Sequence, residues 1–130
     1  MAVSPDGRMV FVTGYTSSTW NAKSDYATVA YSAATGRQLW ASRYNGPMNL
    51  ANSVAVSPGG ATVFVTGYSQ GRGTGQSDYA TVAYSAATGR QLWASRRNGT
   101  ESSLAVSPDG ATIFVTAATS YGYATVAYRG

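Results

Sequence analysis

The sequence predicts an all-β fold made of about three similar antiparallel units. The first observation is an internal repeat: the stretch SDYATVAYSAATGRQLWASR occurs unchanged at 24–43 and 77–96, and a shorter copy lies at 122–128. A period of about fifty residues is typical of repeat architectures. The second observation is the alternation of side chains within the repeat, which is the pattern of β-strands.

Each long copy of the repeat predicts a β-hairpin. Residues 25–32 alternate their side chains between two faces, and residues 37–43 do the same. The loop between them, Ala-Ala-Thr-Gly, ends in a glycine that can take the positive φ of a turn. Tyr, Thr and Val in the first half and glycine in the middle disfavour a helix.

Two more strands per unit are predicted before each hairpin. Ser-Pro turns begin at Ser4, Ser57 and Ser107, and an apolar strand follows each of them, at 9–15, 62–68 and 112–117. We therefore expect about eleven strands and no helix longer than one turn. The chain should be one domain with units at about 1–46, 47–99 and 100–130, the last lacking its outer strand.

Composition and charge exclude several classes of protein. The net charge is +4, from eight Arg and one Lys against five acids, and charged residues are only 11% of the chain. Arginines spread over repeats predict a solvated face, so we expect no nucleic-acid partner. No apolar run approaches a membrane span and no export signal opens the chain, so we expect a soluble protein without a membrane partner. The cellular compartment is not defined.

The residue types predict that the chain is not an enzyme. His and Cys are absent, which removes the commonest acid–base, thiol and zinc chemistry. The acids are Asp6, Asp25, Asp78, Asp109 and Glu101. The four aspartates repeat at turn or strand-edge positions, whereas catalysis normally uses a group once. We expect no catalytic, metal-binding or cofactor-binding residue; calcium beside Asp25 or Asp78 is a minor alternative, because a dense series of oxygen ligands is missing.

Three aromatic residues are candidates for a binding surface. Trp20, Tyr44 and Tyr68 lie in or beside the connections that vary between units, where binding residues tend to lie. They could contact a protein or a carbohydrate ligand. The alternative interpretation is that they pack against the neighbouring unit.

The ordered motifs resemble bacterial β-propeller repeats. Ala-Val-Ser-Pro-Asp-Gly, Val-Phe-Val-Thr-Gly-Tyr, Asp-Tyr-Ala-Thr-Val-Ala-Tyr, Leu-Trp and Tyr-Asn-Gly-Pro occur in register. The chain is most similar to the SBBP type, with the turn of the YVTN type. The resemblance implies a propeller-like array of about three four-stranded antiparallel blades, and it fits a secreted or cell-surface parent protein.

A second resemblance concerns the tryptophans. The pattern at 30–40, repeated at 83–93, is similar to the tryptophan-docking motif of quinoprotein propellers, with serine where that family has aspartate. The resemblance implies that Trp packs across a blade boundary and latches one blade to the next. The blade-docking residues are then Trp40, Trp93, Thr35, Gly36, Thr88 and Gly89.

We expect a non-catalytic structural or interaction module that is completed by self-association or by further blades. A typical propeller has about four to eight blades, so three leave two apolar faces open. The expected open faces contain Val10, Val12, Val29 and Tyr31 on the first blade, and Ile113, Val115, Val126 and Tyr128 on the third. The alternative is a fragment of a quinoprotein-like or lyase-like propeller enzyme, or of a ligand-binding protein, whose active residues lie outside this chain.

Overall fold

The computed structural model describes residues 1–17, 23–46, 48–70 and 77–130. In these ranges the chain forms strands and turns but no helix, so the all-β prediction is confirmed. The strands are β1 (Ala2–Val3), β2 (Met9–Ser17), β3 (Ser24–Ser32), β4 (Gln38–Tyr44), β5 (Asn49–Val56), β6 (Thr62–Gln70), β7 (Ser77–Ser85), β8 (Gln91–Asn98), β9 (Thr100–Val106), β10 (Thr112–Thr119) and β11 (Gly122–Arg129).

The strands form three antiparallel sheets, each a simple meander. Strands β1–β4 make the first sheet, β5–β8 the second, and β9–β11 the third, which has three strands. These sheets are blades one to three of a partial propeller. Within each sheet, sequential strands pair with their neighbours because short turns connect them.

The Ser-Pro turns hold the first two strands of each blade together. In the first turn, the amide of Gly7 donates to the Ser4 carbonyl over 2.8 Å, and the Ser4 hydroxyl donates to Asp6 Oδ1 over 2.6 Å. This hydroxyl bond holds the pKa of Asp6 below its ordinary value. Asp109 and Ser107 repeat the arrangement in the third blade. The repeated aspartates at these two positions therefore serve the turn.

Each blade has two faces of different composition. The valine face of the second blade contains Val63, Val65, Ala80, Val82 and Tyr84, and the phenylalanine face contains Phe64, Thr66, Tyr79, Thr81 and Ala83. Cross-strand partners lie on the same face of a sheet, so the register defines both sets. The same two faces occur at the equivalent positions of the first and third blades.

The two cores lie between blades and have the same polarity. In the first, Phe11, Tyr26 and Ala30 of the first blade pack on the valine face of the second blade. In the second, the phenylalanine face of the second blade packs on Ile113, Val115 and Ala117 of the third. The first and second blades thus each present their phenylalanine face to the valine face of the next blade.

This polarity corrects the open face that was expected on the third blade. Ile113 and Val115 are fully buried against the second blade, and Tyr128 packs beside them. The residues that face outward are on the opposite side of the sheet, among them Phe114 and Tyr123. The expectation was wrong because it placed equivalent faces outward at both ends, whereas blades stacked in one direction expose opposite faces.

Candidate functional site

Trp40 joins the first blade to the second. It lies on β4 and its indole N–H donates a hydrogen bond of 2.8 Å to the carbonyl of Ala86 in the second blade. Its ring lies 5.9 Å from that of Phe11 and 6.4 Å from that of Tyr84, measured between centroids. The half-buried indole therefore makes both apolar and polar contacts with the second blade.

The loop that receives Trp40 has a glycine at its point of closest approach. Gly89 has a φ of 74°, and a β-carbon built on it would lie 2.6 Å from the indole ring. The Ser42 hydroxyl of the first blade donates to the Gly89 carbonyl, and Thr88 Oγ1 accepts from the amide of Arg90 over 3.3 Å. Glycine is required here both for the turn and for the contact.

Trp93 occupies the equivalent position between the second and third blades. Its ring lies 6.2 Å from Phe64 and 5.7 Å from Tyr128. The guanidinium of Arg97 lies 5.8 Å from the centre of the Tyr128 ring, and its Nε donates to the Tyr128 hydroxyl over 3.2 Å. This contact adds a cation–π interaction to the second junction.

The other two predicted docking residues lie on the first blade. Thr35 and Gly36 are exposed in the loop that corresponds to the one receiving Trp40. Gly36 has nearly the same φ as Gly89, 71°, but a β-carbon there would meet nothing within 4 Å. The loop therefore has the backbone geometry of a docking loop, but no tryptophan of the described residues packs against Gly36.

Sequence reasoning missed the residues that receive the tryptophans. Tyr84, Tyr128 and the Ala86 carbonyl lie on the far side of each junction. The signal was present in the repeat, since both tyrosines occupy the same position in it. Assigning them required the direction in which the blades stack.

A buried polar network closes one rim of the first junction. Asn49 is fully buried; its amide N–H donates to Ser24 Oγ over 3.0 Å, and its carboxamide nitrogen donates to the Tyr44 carbonyl over 3.1 Å. Its carboxamide oxygen accepts from the Ser69 hydroxyl over 2.7 Å. Asn49 thus fills the space between the two blades and satisfies their polar groups.

Arg96 and two tyrosines extend the polar part of this junction. Arg96 donates to the Ser69 hydroxyl and, over 2.7 Å, to the Gln70 carbonyl. The Tyr26 hydroxyl donates to the Ala80 carbonyl over 3.3 Å. Burial raises the pKa of Tyr84 to about 12 and raises that of Tyr26 further. Both phenols are therefore neutral at ordinary pH, which suits their low-dielectric surroundings.

The aromatic residues predicted for a binding surface have separate positions. Tyr44 is half-buried and packs on Tyr26, with ring centroids 5.5 Å apart, beside the first core. Tyr68 is half-buried on β6, where its register partners are Leu50 and Tyr79. Trp20 lies outside the described residues. The structure does not bring Tyr44 and Tyr68 into a common ring contact.

The second junction differs from the first because its connection is shorter. An Asn-Gly pair lies near the end of the fourth strand at both junctions, at 45–46 and at 98–99. At the second junction Gly99 is followed directly by Thr100, whose position in the sheet corresponds to that of Leu50. The second connection thus lacks three residues, among them a counterpart of Asn49. In their place lies a cleft of about 730 Å³. The polar residues among its described lining are Ser77, Asn98, Thr100, Thr119, Ser120 and Tyr121.

The two outer faces of the array contain exposed apolar side chains. The equivalent residues Phe11 and Phe64 are 0% exposed, whereas Phe114 on the last blade is 43% exposed. Tyr26 and Tyr79 are 0% and 1% exposed, and their counterpart Tyr123 is 81% exposed. On the first blade Val12 is 40% exposed, although its counterparts Val65 and Val115 are fully buried. Exposed apolar patches are typical of protein interfaces, of ligand-binding surfaces and of aggregation-prone regions.

Neither a metal cluster nor a membrane helix is found in the described part of the chain. Within residues 1–17, 23–46, 48–70 and 77–130, no three His, Cys, Asp or Glu side chains lie together as a metal-binding group. No helix in these ranges is long and apolar enough to span a bilayer. Asp78 Oδ1 is buried and has no hydrogen-bond partner among the described residues.

Comparisons with known proteins agree with this architecture. A family model named PQQ_2 and described as "Outer membrane protein assembly factor BamB" matches residues 2–128. Among solved structures, the chain is similar to hydrazine synthase of Kuenenia stuttgartiensis, with a TM-score of 0.58 and 18% sequence identity. The match covers 96% of this chain and 36% of that one, and at this identity it shows the fold alone. No curated protein matches the chain in sequence.

Proposed function

Because the chain belongs to the PQQ_2 family of β-propeller repeats, we propose that it is a non-catalytic interaction module whose open faces bind a second copy of itself. The observation that carries this proposal is the exposure of Phe114 and Tyr123 on one end and of Val12 on the other. Their counterparts between blades are buried, so the two ends have the composition of an inter-blade contact.

The two open faces are complementary because the blades are repeats. The buried residues that the second blade uses against the first have identical counterparts on the outer side of the first blade: Val10, Val12, Ala27, Val29, Tyr31 and Ala33. The phenylalanine face of the third blade carries the Phe, Tyr and Ala that the first two blades use against their neighbours. One copy's third blade therefore fits the first blade of another.

A hollow at the first blade lies where a preceding four-stranded blade would place its tryptophan; the third blade has three strands and no counterpart of Trp40. The hollow has a volume of about 500 Å³ and is lined by Gly7, Arg8 and residues 32–34. Ala33 in this hollow corresponds to Ala86, which accepts the hydrogen bond of Trp40 at the first junction. A preceding blade would cover this region.

The proposed contact is head-to-tail and heterologous, so two copies related by it could close a ring of six blades. In such a ring each phenylalanine face covers one valine face, as happens twice within the chain. Ring closure removes the open faces that a three-blade array leaves. The finer resemblance to SBBP and YVTN repeats is compatible with this role.

The test uses one charged substitution on each open face. Phe114→Asp blocks the phenylalanine face and Val12→Asp blocks the valine face, because a buried unpaired carboxylate is costly. Each variant alone should be monomeric in sedimentation velocity, since every contact needs one intact face of each kind. An equimolar mixture should form a heterodimer through its one remaining pair of intact faces.

Leu92→Asp is the matched control for these variants. Leu92 is 44% exposed on β8 of the central blade, close to the 43% of Phe114 and the 40% of Val12. It belongs to neither end blade, so its substitution should leave association unchanged. A monomer from Val12→Asp together with an unchanged dimer from Phe114→Asp would indicate a symmetric contact between first blades and contradict the proposal.

A second candidate is a part of a longer propeller. It is favoured by the observation that the chain spans 36% of the structural relative's length. In that case further blades of the same polypeptide cover both open faces, and any ligand binding or catalysis uses residues outside this chain. The experiment separates the two candidates. If the chain is part of a longer propeller, the wild-type chain does not form a dimer, and the charged substitutions have no dimer to disrupt.

A further inference from the structure

We propose that the cleft between the second and third blades binds a neutral N-acetylated saccharide. The cleft lies at the rim of the junction, beside the ends of β8 and β10 and the starts of β7 and β9. Its volume of about 730 Å³ is within the range of small-molecule sites, roughly 300–1,000 Å³. The site lies at the junction between blades, whereas the proposed self-association uses the outer faces; Ala118 belongs to both, since it lines the cleft and pairs with Tyr123 on the outer face.

The first junction shows what chemistry the cleft is built to hold. There, the side chain of Asn49 is bound between the hydroxyl of Ser69 and the carbonyl of Tyr44, while Ser24 Oγ accepts from its backbone amide. The cleft carries counterparts of both hydroxyls, since Ser77 corresponds to Ser24 and Thr119 to Ser69. The missing element is the carboxamide itself, because the shorter connection has no Asn49 equivalent.

An acetamido group has a carbonyl acceptor like that of an asparagine side chain, and one N–H donor where that side chain has two. In the cleft its carbonyl would accept from the Thr119 hydroxyl. Its N–H would donate to the carbonyl of Arg97, which corresponds to that of Tyr44 and directly precedes the lining residue Asn98. This pairing repeats the two hydrogen bonds that bury Asn49 at the first junction. The geometry therefore selects an amide-bearing ligand over one with hydroxyls alone.

The remaining lining residues favour a sugar as the carrier of this amide. Ser, Thr and Asn side chains provide donors and acceptors for ring hydroxyls, and none of the described lining residues is charged. A charged ligand would gain no ion pair from these lining residues to offset its lost hydration. Tyr121 lies at the cleft and its side chain is fully exposed. Its ring offers the apolar surface on which the face of a sugar can stack.

The test compares two tetrasaccharides that differ in the acetamido group. Tetra-N-acetylchitotetraose, called chitotetraose below, and cellotetraose are titrated against the whole chain by isothermal calorimetry and by ligand-observed NMR. We expect chitotetraose to bind at least about tenfold more tightly than cellotetraose, which corresponds to about 1.4 kcal/mol. Tyr121→Ala and Thr119→Val should each weaken chitotetraose binding by about tenfold or more, whereas Thr119→Ser keeps the hydroxyl and should retain it.

Tyr15→Ala is the control for a lost exposed aromatic ring. Tyr15 is 60% exposed on β2 of the first blade and is not among the described lining residues of the cleft. Its substitution should leave binding unchanged, and unfolding midpoints verify that all variants are folded. Absence of chitotetraose binding, equal affinity for both sugars, or unchanged affinity after Tyr121→Ala would overturn the proposal. The oligomeric state, measured in the same samples, reports separately on self-association.

Discussion

Gly89 and Trp40 lie in direct contact across the first blade junction, and the contact leaves no room for a side chain at residue 89. A β-carbon on Gly89 would lie 2.6 Å from the indole ring, far inside van der Waals distance. Gly36 holds the equivalent position in the first blade, has nearly the same backbone conformation and faces open space. Comparing substitutions at the two glycines therefore separates the free-energy cost of a side chain on left-handed backbone from the cost of its clash with Trp40.

Gly89→Ala should destabilise the protein more than Gly36→Ala. Both substitutions place a β-carbon on left-handed backbone, which costs about 1–2 kcal/mol. Gly89→Ala also forces Trp40 or its loop to move, which adds about 1–3 kcal/mol. Urea unfolding followed by tryptophan fluorescence measures both values. Equal destabilisation by the two variants would mean that Trp40 is not held against this loop.

Trp40 and Trp93 should each be important for stability. Replacing a buried aromatic residue with Ala typically costs about 3–5 kcal/mol. Each indole packs between rings of two blades, but both tryptophans are half-buried, so we expect the lower end of this range. Trp40→Phe is a finer test, because it keeps an aromatic ring but leaves the Ala86 carbonyl without its donor. That change should cost about 1–3 kcal/mol. An unfolding midpoint that does not move in Trp93→Ala would refute the docking role.

Tyr84→Phe should stabilise the protein at neutral pH. The Tyr84 hydroxyl is buried and finds no hydrogen-bond partner among the described residues, so removing it relieves a desolvation cost of about 1–3 kcal/mol. Tyr26→Phe is the matched control, because the Tyr26 hydroxyl does have a partner, the Ala80 carbonyl. The thermal unfolding midpoints of both variants, compared with that of the wild type, measure the two changes in stability. A loss of stability in Tyr84→Phe equal to that in Tyr26→Phe would contradict the assignment.

The same tyrosine predicts how stability depends on alkaline pH. Burial raises the pKa of Tyr84 from 10.0 to about 12, so the folded state keeps its proton when the unfolded state has lost it. This contribution is fully present below pH 10 and is lost as the pH rises towards 12. Unfolding midpoints measured across this range should fall less steeply in Tyr84→Phe than in wild type. If the unfolding midpoint falls with pH equally steeply in both proteins, Tyr84 is not a source of the loss of stability at alkaline pH.

The strands and turns could be predicted from the sequence, because they depend on local patterns. Alternation in the repeat and the glycines at 36 and 89 locate the hairpins. Burial alternates along β3, whereas β7 of the central blade is buried on both faces because a blade covers each side. The stacking direction was not predictable from these patterns, since the strands around Val10 and Val63 are apolar on both faces. The burial of Ile113 and the exposure of Phe114 depend on which neighbour covers which face.

The cleft at the second junction was also not identified from the sequence. The three-residue difference in length between the connections was visible in the sequence. Its consequence depends on Asn49, a polar residue at the start of β5 that the sequence alone would assign to the surface. Only its complete burial shows that this residue fills a space between blades. The shortened second connection then leaves that space as the cleft.

The mass of the purified wild-type chain in solution tests the central claim most directly. Light scattering coupled to size-exclusion chromatography at micromolar concentration gives this mass without a marker protein. The account predicts a dimer, with twice the 13.5 kDa mass of the chain, because the third blade of each copy covers the first blade of the other. A stable, well-folded monomer of 13.5 kDa at that concentration would contradict it.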